Sequence, residues 1–262
     1  MAHVVAVANQ KGGVGKTTTT INLAASLALA DQRVLLVDVD PQSNLTSGVG
    51  QRGKASSAGT IYHALTTPTP ALDCRRFIVP TDVDRMQLVP ADRDLTGAEI
   101  ELVTLERREE RLRLLLNAVR DEYDYVLIDC PPSLGLLTLN ALVAANAVLI
   151  PLHCEYFALE GLADLVGTMR RVRAAFNPSL DIEGVLLTMF DDRTNLGQQV
   201  ARDVRQFFKE KVFRTVIPRN VRLGEAPSHG MPVILYDVKS RGAEAYLALA
   251  REVLERSTPT AA

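Results

Sequence analysis

The feature that most constrains this chain is a glycine-rich segment at residues 10–18. The segment reads Gln-Lys-Gly-Gly-Val-Gly-Lys-Thr-Thr and directly follows the apolar run His3–Ala8. An apolar run, a glycine-rich stretch and a helical pattern in this order predict a strand, a phosphate-binding loop and a helix. In such a loop the backbone N–H groups turn toward phosphate oxygens, Lys16 reaches the β- and γ-phosphates, and the Thr17 hydroxyl binds Mg²⁺. The sequence therefore predicts a site for a nucleoside triphosphate with Mg²⁺.

The segment departs from the usual phosphate-loop formula in two ways. The formula G-x-x-x-x-G-K-[ST] requires glycine at position 10, where this chain has Gln10. The chain also carries a second lysine, Lys11, inside the loop. A chance glycine-lysine turn is a poor alternative, because strand, loop and helix follow in the order that phosphate binding requires. The role of Lys11 stays open at this point.

Composition is that of an ordinary globular protein. Of the 262 residues, 47% are hydrophobic and 23% are charged, and no apolar run reaches the roughly 18 residues of a membrane span. No secretion signal precedes the first strand, so we expect a cytoplasmic protein. The net charge of −2 does not indicate nucleic-acid binding, although a local patch of Lys and Arg would suffice for it. Three widely spaced cysteines argue against a disulfide framework or a zinc site and favour buried thiols: Cys74, Cys130 and Cys154.

Segments that favour strands alternate with longer segments that favour helices through most of the chain. Several strand candidates are continuous Val/Ile/Leu runs, as expected for strands covered on both faces. This alternation predicts an α/β fold with a doubly wound, mainly parallel sheet and helices on both faces. The predicted strands are Val4–Ala8, Arg33–Asp38, Met86–Pro90, Tyr125–Asp129, Ala147–Pro151, Ile182–Met189 and Val212–Ile217. The predicted helices are Thr17–Ala30, Thr96–Glu122, Gly135–Ala144, Leu159–Phe176, Leu196–Lys211 and Gly242–Arg256.

Two segments interrupt the alternation. Residues 45–85 are rich in Ser, Thr, Gly and Pro, which predicts an irregular insertion with one short helix near Ile61–Leu65. The tail at residues 257–262 is predicted to be frayed. With no internal repeat and no second phosphate loop, residues 1–262 are interpreted as a single P-loop domain.

Acidic residues end two of the predicted strands, where ligands of an open parallel sheet bind. Asp38 and Asp40 lie on one side of the backbone, so one or both can face the phosphates and hold a magnesium-bound water or orient the attacking water. Asp129 ends an apolar strand, as in a Walker B element that binds Mg²⁺ through water. The alternatives are turn or capping roles for the first two and a solvent-capped strand end for the third.

Two further groups of polar residues lie late in the chain. The amide of Asn220, just after Pro218, can bond to the donor and acceptor edge of adenine, but a turn asparagine is an equally good interpretation. Basic residues recur from residue 193 onward, and either a phosphate-contacting patch or solvated helix faces would account for them. They are Arg193, Lys209, Lys211, Arg214, Arg219, Arg222, Lys239 and Arg241.

Together these motifs resemble those of the ParA/MinD family over essentially the whole chain outside residues 50–85. The deviant Walker A box of the family resembles Lys11-Gly12-Gly13-Val14-Gly15-Lys16-Thr17-Thr18. Its two other signatures resemble Asp38-Val39-Asp40-Pro41-Gln42 and Asp129-Cys130-Pro131-Pro132-Ser133. Residues 155–161 and 218–228 are similar to the chromosomal ParA proteins, often called Soj.

The resemblance implies an ATP-dependent switch that uses Mg²⁺. In the family, the lysine matching Lys11 reaches across a dimer interface to the partner's phosphates, and Gly12 would lie where two copies approach closely. A second ammonium there offsets charge on the transferring phosphoryl group. The residues that the resemblance places at ATP are Lys11, Gly12, Gly13, Val14, Gly15, Lys16, Thr17, Thr18, Pro218 and Asn220.

The same resemblance implies roles in catalysis, metal binding and DNA binding. The catalytic residues would be Lys11, Lys16 and Asp40, with Asp40 positioning the attacking water. The magnesium site would comprise Thr17, Asp40 and Asp129. Non-specific contacts to double-stranded DNA would come from Arg193 and Arg222.

The family also implies partners and a cellular process. A homodimer forms on ATP, and a ParB-type centromere-binding protein stimulates slow hydrolysis with a basic N-terminal segment, so that the cycle partitions chromosomes or plasmids at the nucleoid. A replication initiator as an additional partner stays open. One alternative is a MinD-like division-site ATPase at the membrane, but the mixed charge of Ala250–Ser257 argues against a membrane partner. The other alternative is a metabolic P-loop ligase.

Overall fold

Seven strands form one central sheet within residues 1–67, 73–156 and 158–257, the part of the chain that the computed structural model describes. They are β1 (His3–Val7), β2 (Val34–Asp38), β3 (Val79–Pro80), β4 (Met86–Val89), β5 (Tyr125–Asp129), β6 (Ala147–His153) and β7 (Asp181–Thr188). Their order is β3-β4-β2-β5-β1-β6-β7, and all neighbours are parallel except β3 and β4. This confirms the predicted doubly wound, mainly parallel α/β sheet.

Helices connect the strands and cover both faces of the sheet. In chain order they are α1 (Lys16–Leu29), α2 (Asn44–Gly48), α3 (Ile61–Thr66), α4 (Leu95–Glu101), α5 (Arg111–Asn117), α6 (Leu136–Ala144), α7 (Ala158–Ala175), α8 (Asn195–Phe208), α9 (Val221–Glu225), α10 (Val233–Tyr236) and α11 (Arg241–Ser257). Short 3-10 helices lie at Cys74–Phe77, Leu102–Thr104, Lys209–Lys211 and Ala226–His229. None of the helices in the described ranges is both long and apolar enough to cross a membrane.

The buried strands divide their side chains between two apolar layers. Successive side chains of a strand face opposite sides of the sheet, and in β1 Val4 and Ala6 join one layer while Val5 and Val7 join the other. The layer of Val5 and Val7 is closed by α1 and α11, which pack against each other. Because strands buried on both faces need apolar residues at every position, the continuous Val/Ile/Leu runs follow directly from this arrangement.

The strand register brings three loops to one edge of the sheet. Asp129, the last residue of β5, is the register partner of both Val7 on β1 and Asp38 on β2. Since these strands are parallel and end level with one another, the segments that follow them meet at their carboxyl ends. Ligands of open α/β sheets bind at this edge.

The predicted strand Val212–Ile217 is wrong. Val212 forms an isolated bridge to Val185 of β7, and Pro218, directly after the segment, forms another to Phe190. The segment therefore forms no continuous ladder with β7. The N–H groups of Arg214 and Thr215 donate instead to the carboxylate of Glu252 on α11, at 2.8 and 3.0 Å. A side chain from a distant helix therefore takes the place of a neighbouring strand.

The predicted continuous helix Thr96–Glu122 is also wrong. The structure ends α4 at Glu101 and begins α5 at Arg111. Residues 106–110 are all charged, so this stretch has no apolar side chain to hold a helix against the core. The short helix predicted near Ile61–Leu65 is found as α3. Of the predicted frayed tail, Ser257 ends α11 and the rest lies outside the described residues.

The prediction of buried thiols is confirmed. Cys74, Cys130 and Cys154 are free and buried. Burial raises the pKa of the Cys74 thiol to about 12 and that of Cys154 to about 11, so neither is a reactive thiolate near neutral pH.

Candidate nucleotide-binding site

The glycine-rich segment forms a tight loop between β1 and α1. Gly13 and Gly15 have left-handed backbone angles, with φ of 72° and 87°. A side chain at either position would be strained, which explains why glycine is needed there. Lys16 is the first residue of α1, so the loop presents the N-terminal end of this helix to the carboxyl edge of the sheet.

Two polar residues outside the motif fix the loop. Asn9 accepts a hydrogen bond from the Lys11 N–H (3.0 Å) and donates to the Pro151 carbonyl (2.8 Å), while Thr188 donates to the Val14 carbonyl (2.8 Å). Asn9 and Thr188 are both buried. The sequence analysis missed both residues. A polar residue directly after an apolar strand was the only signal for Asn9, and the loop contact of Thr188 comes from 174 residues away.

Lys16 places a buried ammonium at the base of the loop. Its residue is 7% exposed, and Nζ donates to the Lys11 carbonyl at 2.9 Å. Burial lowers the pKa of Lys16, against the opposing effect of Asp129, Cys130 and Asp40. An ammonium has three donors, so an anionic ligand in the loop would satisfy the donors that the carbonyl does not take.

Asp129 lies behind the loop and accepts hydrogen bonds from two hydroxyl groups of α1. Thr17 Oγ1 donates to Asp129 Oδ2 at 2.8 Å, and Thr20 Oγ1 donates to Oδ1 at 3.2 Å. Asp129 is fully buried. Burial raises the pKa of this carboxyl well above its usual value, and the nearby Asp38 raises it further. Asp129 therefore orients the Thr17 hydroxyl from beneath it.

The two aspartates after β2 have different surroundings. Asp38 is fully buried and accepts hydrogen bonds from the Thr46 N–H (2.9 Å), the Thr46 hydroxyl (2.7 Å) and the Asp40 N–H (3.2 Å). Burial raises its pKa to about 6. Asp40 instead lines a cavity and accepts from the Gln42 N–H at 2.9 Å. Of the two carboxylates, Asp40 is the one placed to meet a ligand, and Asp38 holds the start of α2.

A cavity of about 470 Å³ lies at this edge of the sheet, within the usual range for small-molecule sites. The glycine-rich loop and Asp40 form one side of it, and a segment late in the chain forms the other. Its lining includes Gly12, Gly13, Gly15, Lys16, Thr17, Thr18, Asp40, Pro132, Thr188, Ile217, Pro218, Arg219, Asn220 and Tyr246. Lys11, Val14 and Asp129, which the sequence also assigned to the site, are not among the lining residues.

Asn220 has a structural contact in addition to its place at the cavity. Its Oδ1 accepts a hydrogen bond from the Arg222 N–H at 2.9 Å and so caps the first turn of α9. The two interpretations offered by the sequence are therefore compatible, since the cap uses the oxygen and leaves the amide nitrogen as a donor.

Lys11 and Gly12 have different surroundings within the chain. The stem of Lys11 lies along Gly161 in the first turns of α7, where a Cβ built on Gly161 would be 3.4 Å from Lys11 Cγ. Gly12 is exposed, and a Cβ built there would meet nothing closer than the Pro132 Cβ at 4.0 Å. Gly12 also lacks the positive φ of Gly13 and Gly15. Neither space nor backbone strain within the chain requires glycine at this position.

The two arginines assigned to DNA contacts already pair with carboxylates. Arg193 is exposed and makes a two-bond pair with Asp191, with Nε–Oδ1 and Nη2–Oδ2 distances of 2.8 and 2.6 Å. Arg222 pairs with Glu225 at 2.7 Å and with Asp237 at 3.2 Å. Arg193 follows the end of β7, and Arg222 lies on α9.

The donor set suits Mg²⁺ better than a softer metal. The candidate ligands are the Thr17 hydroxyl and carboxylate oxygens, which are the hard donors that Mg²⁺ prefers. Among the described residues no group of three or more His, Cys, Asp or Glu side chains could hold a metal ion by itself. A magnesium ion at this site would therefore need oxygens from a bound phosphate, as is usual for Mg²⁺ in nucleotide-binding proteins.

Comparison with known proteins gives one family match over most of the chain and relatives that match nearly all of it. The family model described as an AAA domain matches residues 2–182. The chromosome partitioning protein ParA of Myxococcus xanthus is 56% identical over 259 residues, which cover 99% of this chain and 90% of that protein. The sporulation initiation inhibitor protein Soj of Bacillus subtilis is 56% identical over 253 residues, which cover 97% of this chain and 98% of that protein.

A solved structure shares the fold. The crystal structure of cobyrinic acid a,c-diamide synthase from Mycobacterium smegmatis, with bound ADP and magnesium, aligns with a TM-score of 0.80. Its sequence is 38% identical to this chain, and the alignment covers 98% of this chain and 95% of that one.

Proposed function

This chain belongs to the ParA/MinD family of P-loop ATPases, in the branch of the chromosomal ParA and Soj partitioning proteins, and from this premise we propose how it works. It is a switch that dimerises on ATP, binds double-stranded DNA without sequence preference as a dimer, and returns to a monomer after slow hydrolysis. Residues 1–262 act as one ATPase domain in this cycle. The process served is the partitioning of a chromosome or plasmid.

The observation that carries the proposal is the environment of Gly12. Gly12 is exposed, a Cβ built there would meet nothing closer than 4.0 Å, and its backbone has no conformational need for glycine. A glycine at this position gains a reason if a second copy closes over the loop. The ammonium of Lys11 would then reach the partner's phosphates, and a side chain at position 12 would block the approach.

ATP and Mg²⁺ are the proposed ligands of the cavity. The buried ammonium of Lys16 and the backbone N–H groups of the loop bind the phosphates, while Pro218 and Asn220 form the adenine side. Thr17, held by Asp129, is the proposed protein ligand of the metal. The bound metal would neutralise charge on the β- and γ-phosphates. The ADP and magnesium in the Mycobacterium smegmatis synthase support this assignment.

Asp40 is the proposed water-positioning residue. Its carboxylate lines the cavity and is held in place by the Gln42 N–H. A carboxylate can orient the attacking water and accept its proton as the bond to the γ-phosphate forms. Hydrolysis is slow in the isolated protein, and a ParB-type partner with a basic segment stimulates it.

DNA binding uses Arg193 and Arg222 on the late side of the cavity. Arg193 lies in the exposed stretch after β7, and Arg222 lies on the exposed helix α9 beside the cavity-lining residue Leu223, so closure around ATP can change their exposure to DNA. The existing pairs with Asp191, Glu225 and Asp237 explain why the binding would be weak until several arginines of a dimer act together. A protein that binds DNA in this way is cytoplasmic and associated with the nucleoid.

The metabolic alternative has one observation in its favour. The solved structure with 38% identity carries the name of a synthase. The partitioning proteins, however, are 56% identical over nearly their full length. The membrane alternative is weaker, because Tyr246, Leu249 and Val253 of the last helix α11 are buried in the core rather than available to a lipid surface.

The direct test measures ATP hydrolysis by the purified chain in four conditions. These are protein alone, with random double-stranded DNA, with a basic peptide from a ParB-type partner, and with both. We expect a low basal rate that needs Mg²⁺ and rises when DNA and peptide are present together. If the rate of ATP hydrolysis is unchanged by DNA and peptide but rises with a small carboxylic acid substrate, the result would favour the ligase.

A further inference from the structure

The segment from Val212 to Ile217 contains a bulge of two residues. Phe213 N–H donates to the Val185 carbonyl at 3.0 Å, and Ile217 N–H donates to the Leu187 carbonyl at 2.9 Å. The segment thus advances four residues while β7 advances two. A regular parallel ladder would advance equally on both sides, so two residues are surplus.

The carboxylate of Glu252 accounts for the surplus residues. One carboxylate oxygen accepts from the Arg214 N–H at 2.8 Å, and the other accepts from the Thr215 N–H at 3.0 Å. These two amides donate to Glu252, whereas Phe213 and Ile217 on either side donate to β7. Glu252 is 3% exposed, so the carboxylate satisfies them away from solvent.

Arg256, one turn further along α11, completes a clamp. Its Nη2 donates to Glu252 Oε1 at 2.8 Å and to the Val212 carbonyl at 3.1 Å. Its guanidinium also lies over the Phe213 ring at 4.2 Å, and that ring is fully buried. Burial raises the pKa of Glu252, but the amides of Arg214 and Thr215 and the charge of Arg256 outweigh it, so the net pKa is lowered and the carboxylate is charged.

The clamp lies directly before the residues that form the base side of the cavity. Ile217, Pro218 and Asn220 follow the bulge by two to five residues and line the cavity. The same helix α11 reaches the cavity through Tyr246, whose hydroxyl is 3.1 Å from Thr19 Oγ1 on α1. One helix therefore contacts both the phosphate side and the chain that leads to the base side.

We propose that Glu252, with Arg256, is a positioning residue that sets the distance between the adenine-contacting loop and the phosphate loop, and so determines selectivity for the base. This inference rests on ATP being the ligand. The phosphate loop is held by Asn9 and Thr188, neither of which belongs to the clamp. Loss of the clamp should therefore move the base loop and leave triphosphate binding intact.

The test compares binding of ATP, GTP and inorganic tripolyphosphate by calorimetry at fixed Mg²⁺. In Glu252→Gln the amide presents a donor to one of the two backbone N–H groups, so the bulge cannot be held in the same place. We expect ATP affinity to fall about tenfold, the equivalent of roughly one buried hydrogen bond. Tripolyphosphate affinity should stay at the wild-type value, and the preference for ATP over GTP should shrink. The matched control is Glu255→Gln on the same helix, which removes an exposed carboxylate that pairs with Arg214 and should change nothing.

The remaining outcomes are equally informative. Equal loss of ATP and tripolyphosphate binding, or unchanged ATP binding, would overturn the positioning role. If Glu252→Gln does not fold, Arg256→Gln keeps both amide contacts and removes only the outer part of the clamp. It should show the same selective loss at smaller size, and a non-selective loss would again contradict the proposal. A wild-type chain that binds no nucleotide would instead contradict the proposed function.

Discussion

The two sides of the cavity are built in opposite ways. The phosphate side, residues 9–18, is one continuous segment whose shape follows from glycine backbone angles and a helix start. The late side is formed by residues 188–189 at a strand end, by residues 217–224 of an irregular segment and a short helix, and by Tyr246 of α11. The helix α11 also holds the irregular segment through Glu252. The difference separates a site that short-range sequence encodes from one that depends on long-range packing. Changes on the phosphate side should therefore affect chemistry strongly, and changes on the late side should affect selectivity and DNA binding more gradually.

Lys11→Ala is expected to have the largest effect of these variants, which is the loss of ATP-dependent dimerisation. If Lys11 acts on a second copy, this variant keeps measurable nucleotide binding through Lys16 but forms no ATP-dependent dimer. Light scattering with and without ATP and Mg²⁺ measures this directly, and Lys54→Ala, at an exposed position away from the loop, is the control. Normal dimers in Lys11→Ala would contradict the role across the interface.

A change at Asp40 should slow chemistry without loss of binding. Asp40→Ala removes the carboxylate that orients water, so we expect single-turnover hydrolysis to fall by about 10² to 10⁴. The ATP dimer should then persist, which light scattering over time would show. Asp40→Asn keeps the size of the side chain and should be nearly as slow. Hydrolysis at the wild-type rate in either variant would show that Asp40 has a different role.

On the late side, Arg222→Glu should abolish ATP-dependent retardation of random DNA. Reversal of one charge repels phosphate and leaves Glu225 and Asp237 without their cation, so we expect a loss of at least about tenfold in affinity with a weaker salt dependence. The control is Arg251→Glu at an exposed position on α11. If the Arg222→Glu variant still retards random DNA like the wild type, Arg222 is not part of the DNA-binding surface.

The smallest effect is expected from Asp191→Asn. The Arg193 guanidinium holds the pKa of Asp191 well below its usual value, so this carboxylate stays charged and competes with DNA phosphates for the arginine. Removal of that charge should strengthen DNA binding by about twofold to threefold, in keeping with the small energies of exposed ion pairs. Weaker DNA binding in this variant would mean that Asp191 positions Arg193 for DNA rather than competing with it.

The sequence was most informative where function depends on neighbouring residues. The phosphate loop, the strand ends at Asp38 and Asp129, and the parallel sheet were all predicted from short motifs and apolar runs. The errors fell where neighbours do not decide the structure. The run Val212–Ile217 has the composition of a strand, but Glu252 takes two of its amides. The helical pattern of Thr96–Glu122 is interrupted at residues 106–110, which are all charged and supply no apolar side chain to the core.

The assigned roles of individual site residues stay predictions, and the structure sharpens some of them more than others. It separates Asp40, which lines the cavity, from Asp38, which is buried against Thr46. Alternation along the strand could not make this distinction, because both residues are on one side of the backbone and only the packing of α2 differs. Asp237, the second partner of Arg222, illustrates the same limit, because it lies outside α9 and local spacing does not identify it.

By itself, the sequence determined the phosphate loop, the alternation of strands and helices along most of the chain, and the family of the protein. These properties depend on contacts within a few residues, such as glycine angles, capping and apolar period. Only the tertiary structure decided which carboxylate meets the ligand, that Asn9 and Thr188 hold the loop, and that Glu252 holds the base side. The contacts of Asn9 with Pro151, of Thr188 with Val14 and of Glu252 with Arg214 join residues 142, 174 and 38 positions apart. A local pattern cannot specify a partner that only the folded sheet brings within hydrogen-bond distance.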